Sequence, residues 1–124
     1  MISKCEDVRQ AVNFKNKKTF ILLNDYKFDD GAIKVIAEKK KACFLIDVSR
    51  IIKSTGTRRA VEISMLRNFL RLCIKHGAIY ALVNLSEREE DKRTDDELIH
   101  IGMLLGLSRG QGKKALQILE GYDE

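Results

Sequence analysis

Three short apolar runs, TFILL (residues 19 to 23), CFLIDV (43 to 48) and AIYALV (78 to 83), recur along the chain. Each is bounded by polar or turn-forming residues, and segments with helical spacing lie between them. Runs this short and this uniformly apolar suit strands buried on both faces, and such strands belong to parallel sheets whose crossovers are helices. The alternation therefore predicts an α/β fold of parallel βα units with right-handed connections.

The helical segments carry their own start and stop signals. Residues 3 to 13 read as a short amphipathic helix with Val8, Ala11 and Val12 on one side. Asp29 and Asp30 offer a cap to a helix holding Ile33, Ile36 and Ala37, which closes on Lys39, Lys40 and Lys41, where cations suit the dipole. A Ser/Thr/Gly turn, STGT, leads into the longest helix, near Thr57 to His76, ended by Gly77. At 100° per residue its apolar face comprises Val61, Met65, Leu66, Phe69, Leu72 and Cys73, widened by Leu70 and Ile74. Thr94 and Glu97 match a capping box before a helix with Leu98, Ile101 and Leu105 inward.

The stretch IHIGMLLGLSRGQGKKAL could suggest a phosphate-binding loop, but that motif needs a glycine where Leu107 stands and a hydroxyl where Lys114 stands. Gly106 instead fits the position after a helix end, and Ser108 with Gln111 fits a second capping box. The stretch is a helix stop, a corner and a helix start. Gly110 and Gly112 should weaken the last helix by roughly 1 kcal/mol each relative to Ala.

At 124 residues the chain has the length of one domain, 1–124. Three strands cannot close a barrel, which needs about eight. Both sheet edges would then be bare, and a second copy or a partner chain is expected to complete the sheet. No apolar run approaches the roughly 20 residues of a membrane span, and the N-terminal residues lack the apolar core of a secretory signal. Cys5, Cys43 and Cys73 are odd in number and form no C-x-x-C pair, so reduced thiols in a cytoplasmic protein are expected.

Formal net charge is +5. Between Arg50 and Lys75, seven cations face the single acid Glu62, a local excess of about +6. Glu87 to Glu97 reverses the sign. Arg67, Arg71 and Lys75, four residues apart, stack into one cationic stripe on the long helix. Such a stripe can displace counterions from phosphates, and a folded duplex could be held by shape and phosphate contacts alone. With no Trp in the chain, stacking on single strands is disfavoured. Against this stands a plain solvated helix face. Catalytic groups are sparse: Asp25, Asp47, Asn84 and Glu87 fall at expected strand ends, where Asp47 more readily caps the next turn than serves as ligand or base. His76 and His100 are the only histidines and show no metal spacing.

CFLIDVSRIIKSTGTRRAVEISMLRNFLRLCIKHGAIYALVN, followed by KRTDDELIHIGMLLGLSRGQGKKAL, resembles the C-terminal half of ribonuclease P protein component 3, the thirty-kilodalton subunit of archaeal and eukaryotic enzymes. The likeness runs from about Thr19 to Leu119. It rests on the strand ending at Asp47, the Arg59-Ala60 pair opening a long helix, Lys75 near that helix's end, the strand Ala78 to Val83, Arg93 before a capped helix, and the closing Leu104 to Ser108. The order and spacing carry it, not any single element. Family members usually have Ser-Gly-Ala after the third strand and Arg-x-Pro before the capped helix, where this chain has Asn84-Leu85-Ser86 and Arg93-Thr94-Asp95. They are also close to twice as long and form a fuller TIM-like barrel.

The resemblance implies a half-barrel that serves, with itself or with ribonuclease P protein component 2, as a non-catalytic subunit of the ribonucleoprotein that removes the 5′ leader of precursor tRNA. The ribonuclease P RNA does the cutting and takes the magnesium; the chain itself needs no cofactor and no metal. Arg59, Lys75 and Arg93 carry over as RNA or partner contacts, and Arg58, Arg67 and Arg71 join them on charge. Two other readings remain: a stand-alone metal-dependent phosphoesterase of barrel type, and an oligomerisation module whose basic stripe faces an acidic segment such as residues 87 to 97 of another copy.

Overall fold

A computed structural model describes the backbone of residues 1–122 and the side chains of residues 1–118. In chain order the elements are β1 (Ile2–Cys5), α1 (Val8–Ala11) running into a 3-10 turn (Val12–Phe14), β2 (Phe20–Leu23), α2 (Asp30–Lys39), β3 (Cys43–Asp47), α3 (Ser49–Ile52), α4 (Gly56–His76), β4 (Ile79–Val83), a 3-10 turn (Glu89–Asp91), α5 (Asp95–Leu104) and α6 (Arg109–Tyr122).

The three expected strands are present, and they form one parallel sheet with a fourth. The order is β1-β2-β3-β4, every neighbouring pair parallel, with Ile2 opposite Phe20, Phe20 opposite Cys43 and Cys43 opposite Ile79. The expected helix at residues 3 to 13 is therefore corrected at its start. Ile2–Cys5 is a strand, and only Val8–Ala11 is α-helical. ISKC has neither the length nor the composition to declare itself a strand; the exposed edge of β2 supplies the hydrogen-bond partners that do so. Asp7 then caps α1 by accepting from the Gln10 amide.

One edge of the sheet is covered and the other is moved outward, from β2 to β1. β1 extends the sheet on one side, and α6 packs along β4 on the other, burying Ala115 with the main core. Successive strand residues alternate between two apolar faces. One carries Ile21, Leu23, Phe44, Ile46 and Leu82 and is covered by α1, α2, α4 and α5 through Val8, Ile33, Ile36, Leu66, Phe69, Leu70 and Leu98. The other carries Phe20, Cys43, Leu45, Ala81 and Val83, against which Ile118 of α6 packs.

α4 is the longest helix, and its buried side is rotated from expectation. Leu66, Phe69, Leu70 and Cys73 are fully buried, whereas Val61 is 54% and Ile74 42% exposed. Edge-to-face contacts of the Phe69 ring with Phe44 and Tyr26, at centroid distances of 5.1 and 5.4 Å, fix the rotation. Leu70 thus lies at the centre of the packed side instead of on its margin.

The local stop and start signals hold. Gly77 closes α4 at φ +73°. Gly106, at φ +93°, closes α5 in a Schellman arrangement: the Leu107 amide donates to the Gly102 carbonyl and the Gly106 amide to Met103, both at 3.0 Å. Ser108 and Gln111 cap each other reciprocally, at 3.1 and 2.8 Å. Gly112 faces α5, where a Cβ would sit 3.5 Å from Ile99 Cγ2, an ordinary van der Waals contact, whereas a Cβ at Gly102 would press to 3.0 Å from Leu82 Cδ1. Thr94 and Glu97 form both bonds of the capping box on α5. Thr94→Ala is expected to cost about 1 kcal/mol, read as a fall in melting temperature of about 4 °C.

Cys5, Cys43 and Cys73 are all unpaired and buried. Burial pushes the Cys43 thiol up to about 12 and raises Cys73 further still, which leaves both as inert packing groups. Among the described residues no helix is long and apolar enough to cross a membrane.

Candidate nucleic-acid interface

Packing Leu66, Phe69, Leu70 and Cys73 against the sheet turns the opposite side of α4 outward, and Arg67, Arg71 and Lys75 are all exposed along it. The row is real, but its ends are engaged. Arg67 Nη2 donates to the Leu104 carbonyl at 2.8 Å, placing a cation at the C-terminus of α5, where the helix dipole favours one. Lys75 Nζ lies 3.7 Å from Asp30 Oδ1, and the same oxygen meets His76 Nε2 at 2.7 Å. The hydrogen bond from His76, with the Lys75 charge beside it, holds the Asp30 carboxyl below its usual range. Arg71 makes no hydrogen bond or ion pair among the described residues.

The remaining expected contacts divide. Arg58, in the first turn of α4, is exposed and likewise unengaged among the described residues. Arg59 turns away: its Nε and Nη2 donate to the Ile51 and Ile52 carbonyls at 3.2 and 3.4 Å, closing the end of α3. Arg93 does not join the row. It is half-buried, gives two hydrogen bonds to the Glu90 and Lys92 carbonyls, and lines a cleft on the opposite face of the sheet. That cleft, about 850 Å³, has Phe20, Leu45, Val83 and Leu116 in its walls and Lys92 and Arg93 at its polar margin.

Arg50, the first cation of the basic segment, is withdrawn from the surface. Its guanidinium forks onto Glu62, with Nε 3.1 Å from Oε2 and Nη2 3.4 Å from Oε1, donates to the Asn24 carbonyl at 2.7 Å, and stacks 5.2 Å over the Tyr26 ring. The one acid of the basic segment thus neutralises the one arginine that packs inward. Tyr26 in turn donates to the Leu45 carbonyl at 2.5 Å and accepts from the Asp47 amide, and burial raises its hydroxyl pKa strongly.

The acids at the strand ends serve turns. Asp47 Oδ1 accepts the amides of Ser49 at 3.0 Å and Leu85 at 3.2 Å, tying the ends of β3 and β4 together. Asp25 accepts the Lys27 amide. Asp91, read in the sequence only as part of an acidic run, is buried; its carboxylate takes the Ser86 hydroxyl at 2.6 Å and pairs with Arg88 at 3.3 Å, shaping the loop after β4.

Charge spacing alone did not find one surface feature. Phe28, in the loop DYKFDD, is 51% exposed and faces Val61, Ser64, Met65 and Asn68 of α4. Its companion Tyr26, two residues earlier, is buried. Two aromatics at i and i+2 in a charged loop signal that one is an anchor and the other lies on the surface, but not which. No family model matches the chain, and no curated protein matches it.

Proposed function

We propose that the chain is a protein subunit of ribonuclease P of the component 3 type, shaped as half of a TIM-like barrel, which binds the catalytic RNA and helps it hold its active fold while the RNA removes the 5′ leader of precursor tRNA. The observation that supports this best is the sheet itself. Four parallel strands in sequential order, with α1, α2, α4 and α5 on one face, are compatible with consecutive units of a βα-barrel wall, with α6 laid over part of the other face through Ile118. The residues that carry the family likeness punctuate those units: Asp47 ends β3, Arg59-Ala60 opens α4, Lys75 stands in its last turn, Arg93 precedes the capped α5, and Leu104 to Ser108 forms the corner before α6. Phe20, Leu45 and Val83 then occupy the lumen-facing side. The cleft there is the natural seat for protein component 2 or a second copy.

RNA would be held from the other face, by phosphate contacts along α4. Arg71 and Arg58 are available as they stand, whereas Arg67 and Lys75 must exchange an intramolecular partner for phosphate. Replacing Arg67, Arg71 and Lys75 together by Ala is expected to flatten the dependence of log affinity on log salt by roughly one unit for each phosphate no longer neutralised. Replacing Arg71 alone should remove about one unit. Fluorescence anisotropy with a structured RNA over a salt series measures this, and an unchanged slope in the triple variant would remove α4 as the RNA surface. Stimulation of precursor tRNA cleavage when the chain is added to the catalytic RNA with component 2 tests the assignment itself; no stimulation at any magnesium concentration would defeat it.

A further inference from the structure

We propose that the groove between the β2–α2 loop and α4 receives one unpaired nucleotide of the bound RNA, with its base stacked on Phe28 and its edge read by Asn68. The inference rests on the reading of α4 as an RNA-binding face and adds a single-strand element to what would otherwise be phosphate contact alone.

Four observations lead there. First, Phe28 is an aromatic ring half open to solvent, although Tyr26 two residues earlier is fully buried; the loop commits one ring to the core and leaves the other outside. Second, the groove beside it, about 380 Å³, has one apolar wall from Val61 and Met65 and a polar wall from Ser64 and Asn68. Third, neither the Ser64 hydroxyl nor the Asn68 amide has a hydrogen-bond partner among the described residues, whereas the polar groups of Arg59, Arg67, Asp47 and Asp91 are all engaged. Fourth, three cations whose side chains make no hydrogen bond or ion pair among the described residues lie at the groove or within one helical turn of its ends. Lys27 lines the groove, and Arg58 and Arg71 stand three residues before Val61 and three after Asn68, one helical turn to either side.

An open ring, an amide with both a donor and an acceptor to offer, and free cations at flanking positions are the three components by which proteins hold splayed-out bases: stacking, edge recognition and phosphate pairing. Asp25 also lines the groove, but its carboxylate accepts the Lys27 amide and stays at the loop side. Lys27 at the groove's margin and the exposed Arg58 and Arg71 on the turns beyond its ends favour a polyanion over an apolar segment of another protein. Base stacking, which composition alone disfavours, is thus restored at a single position.

The test uses the full chain and two RNA hairpins that are identical except for one unpaired nucleotide bulged from the stem. The wild type is expected to bind the bulged hairpin about tenfold more tightly. Phe28→Ala should abolish that preference while leaving affinity for the fully paired hairpin and the salt slope unchanged, and Phe28→Tyr should retain it. Asn68→Ala should weaken the bulged hairpin selectively. A wild type without preference, or a preference that survives Phe28→Ala, overturns the inference while leaving phosphate binding by α4 intact. A change in oligomeric mass on Phe28→Ala, with no change in RNA preference, identifies the groove as a protein contact and overturns it too. Absence of binding to either hairpin defeats the broader reading of α4 instead.

Discussion

Phe69→Ala should lower the free energy of unfolding by about 4 kcal/mol, in the middle of the range for a buried aromatic. The ring is completely buried and meets two others edge-on, Phe44 of β3 at 5.1 Å and Tyr26 of the β2–α2 loop at 5.4 Å. Truncation removes the ring that joins α4 to both β3 and the β2–α2 loop and leaves a cavity that rigid neighbours cannot fill. Tyr26 would lose its backing, and with it the geometry of its bonds to the Leu45 carbonyl and the Asp47 amide. A domain of this size is stable by roughly 5–15 kcal/mol, so the variant should stay folded at room temperature while losing a large share of its stability. Urea unfolding followed by circular dichroism measures the loss as a lowered midpoint with an unchanged slope. A loss below about 1.5 kcal/mol would mean that the three rings do not form a common core.

Glu62→Ala should have the next largest effect, about 2–3 kcal/mol. The Glu62 side chain is only 11% exposed and takes both forks of the Arg50 guanidinium, which is itself mostly covered. Removing the carboxylate strands a cation between Tyr26 and α4 with one carbonyl partner, Asn24, in place of three acceptors. Residual exposure of Arg50 lets water compensate in part, which keeps the figure below that of a fully enclosed pair. The paired replacement Arg50→Met with Glu62→Leu should recover most of the loss, because no charge is then left unmatched. A double variant as unstable as Glu62→Ala would show that the pair contributes shape and not charge. Neither residue belongs to the exposed cation row, so RNA affinity of the folded double variant should follow wild type.

The signals legible from the chain alone were those whose physics is local. Asp29 before α2, the Thr94–Glu97 box, the Ser108–Gln111 box and the glycines at 77 and 106 act within a few residues, and each stands where its chemistry requires. The parallel strands were equally readable, because a run such as CFLID buried on both faces leaves no polar alternation to misread. β1 was not readable. ISKC has a polar half, and its strand state depends on an edge of β2 that lies fifteen residues further along. The buried face of α4 is narrower than its periodicity predicts for a related reason: an apolar residue at helical spacing, such as Val61 or Ile74, is buried only if another element arrives to cover it.

Of the candidate contact residues, charge and spacing identified the row Arg67, Arg71 and Lys75 but could not tell which cations are already bound. That depends on carbonyls and carboxylates brought in from α3, α5 and α2, outside the helix that carries the row. Asn68 and Phe28 were invisible for the same reason, since neither is charged and their adjacency exists only because the β2–α2 loop lies along α4.

The sequence by itself therefore determined where most strands and helices begin and end, that the sheet is parallel, and that cations concentrate along one long helix. Tertiary structure alone decided that the sheet has a fourth strand, that Arg50 is taken up by Glu62, that Arg58 and Arg71 stay unengaged among the described residues, and that one aromatic ring faces solvent beside them. The division follows from range: hydrogen-bond capping and periodic burial act over one or two turns of chain, while pairing of charges and exposure of rings are set by whichever distant segment happens to pack alongside.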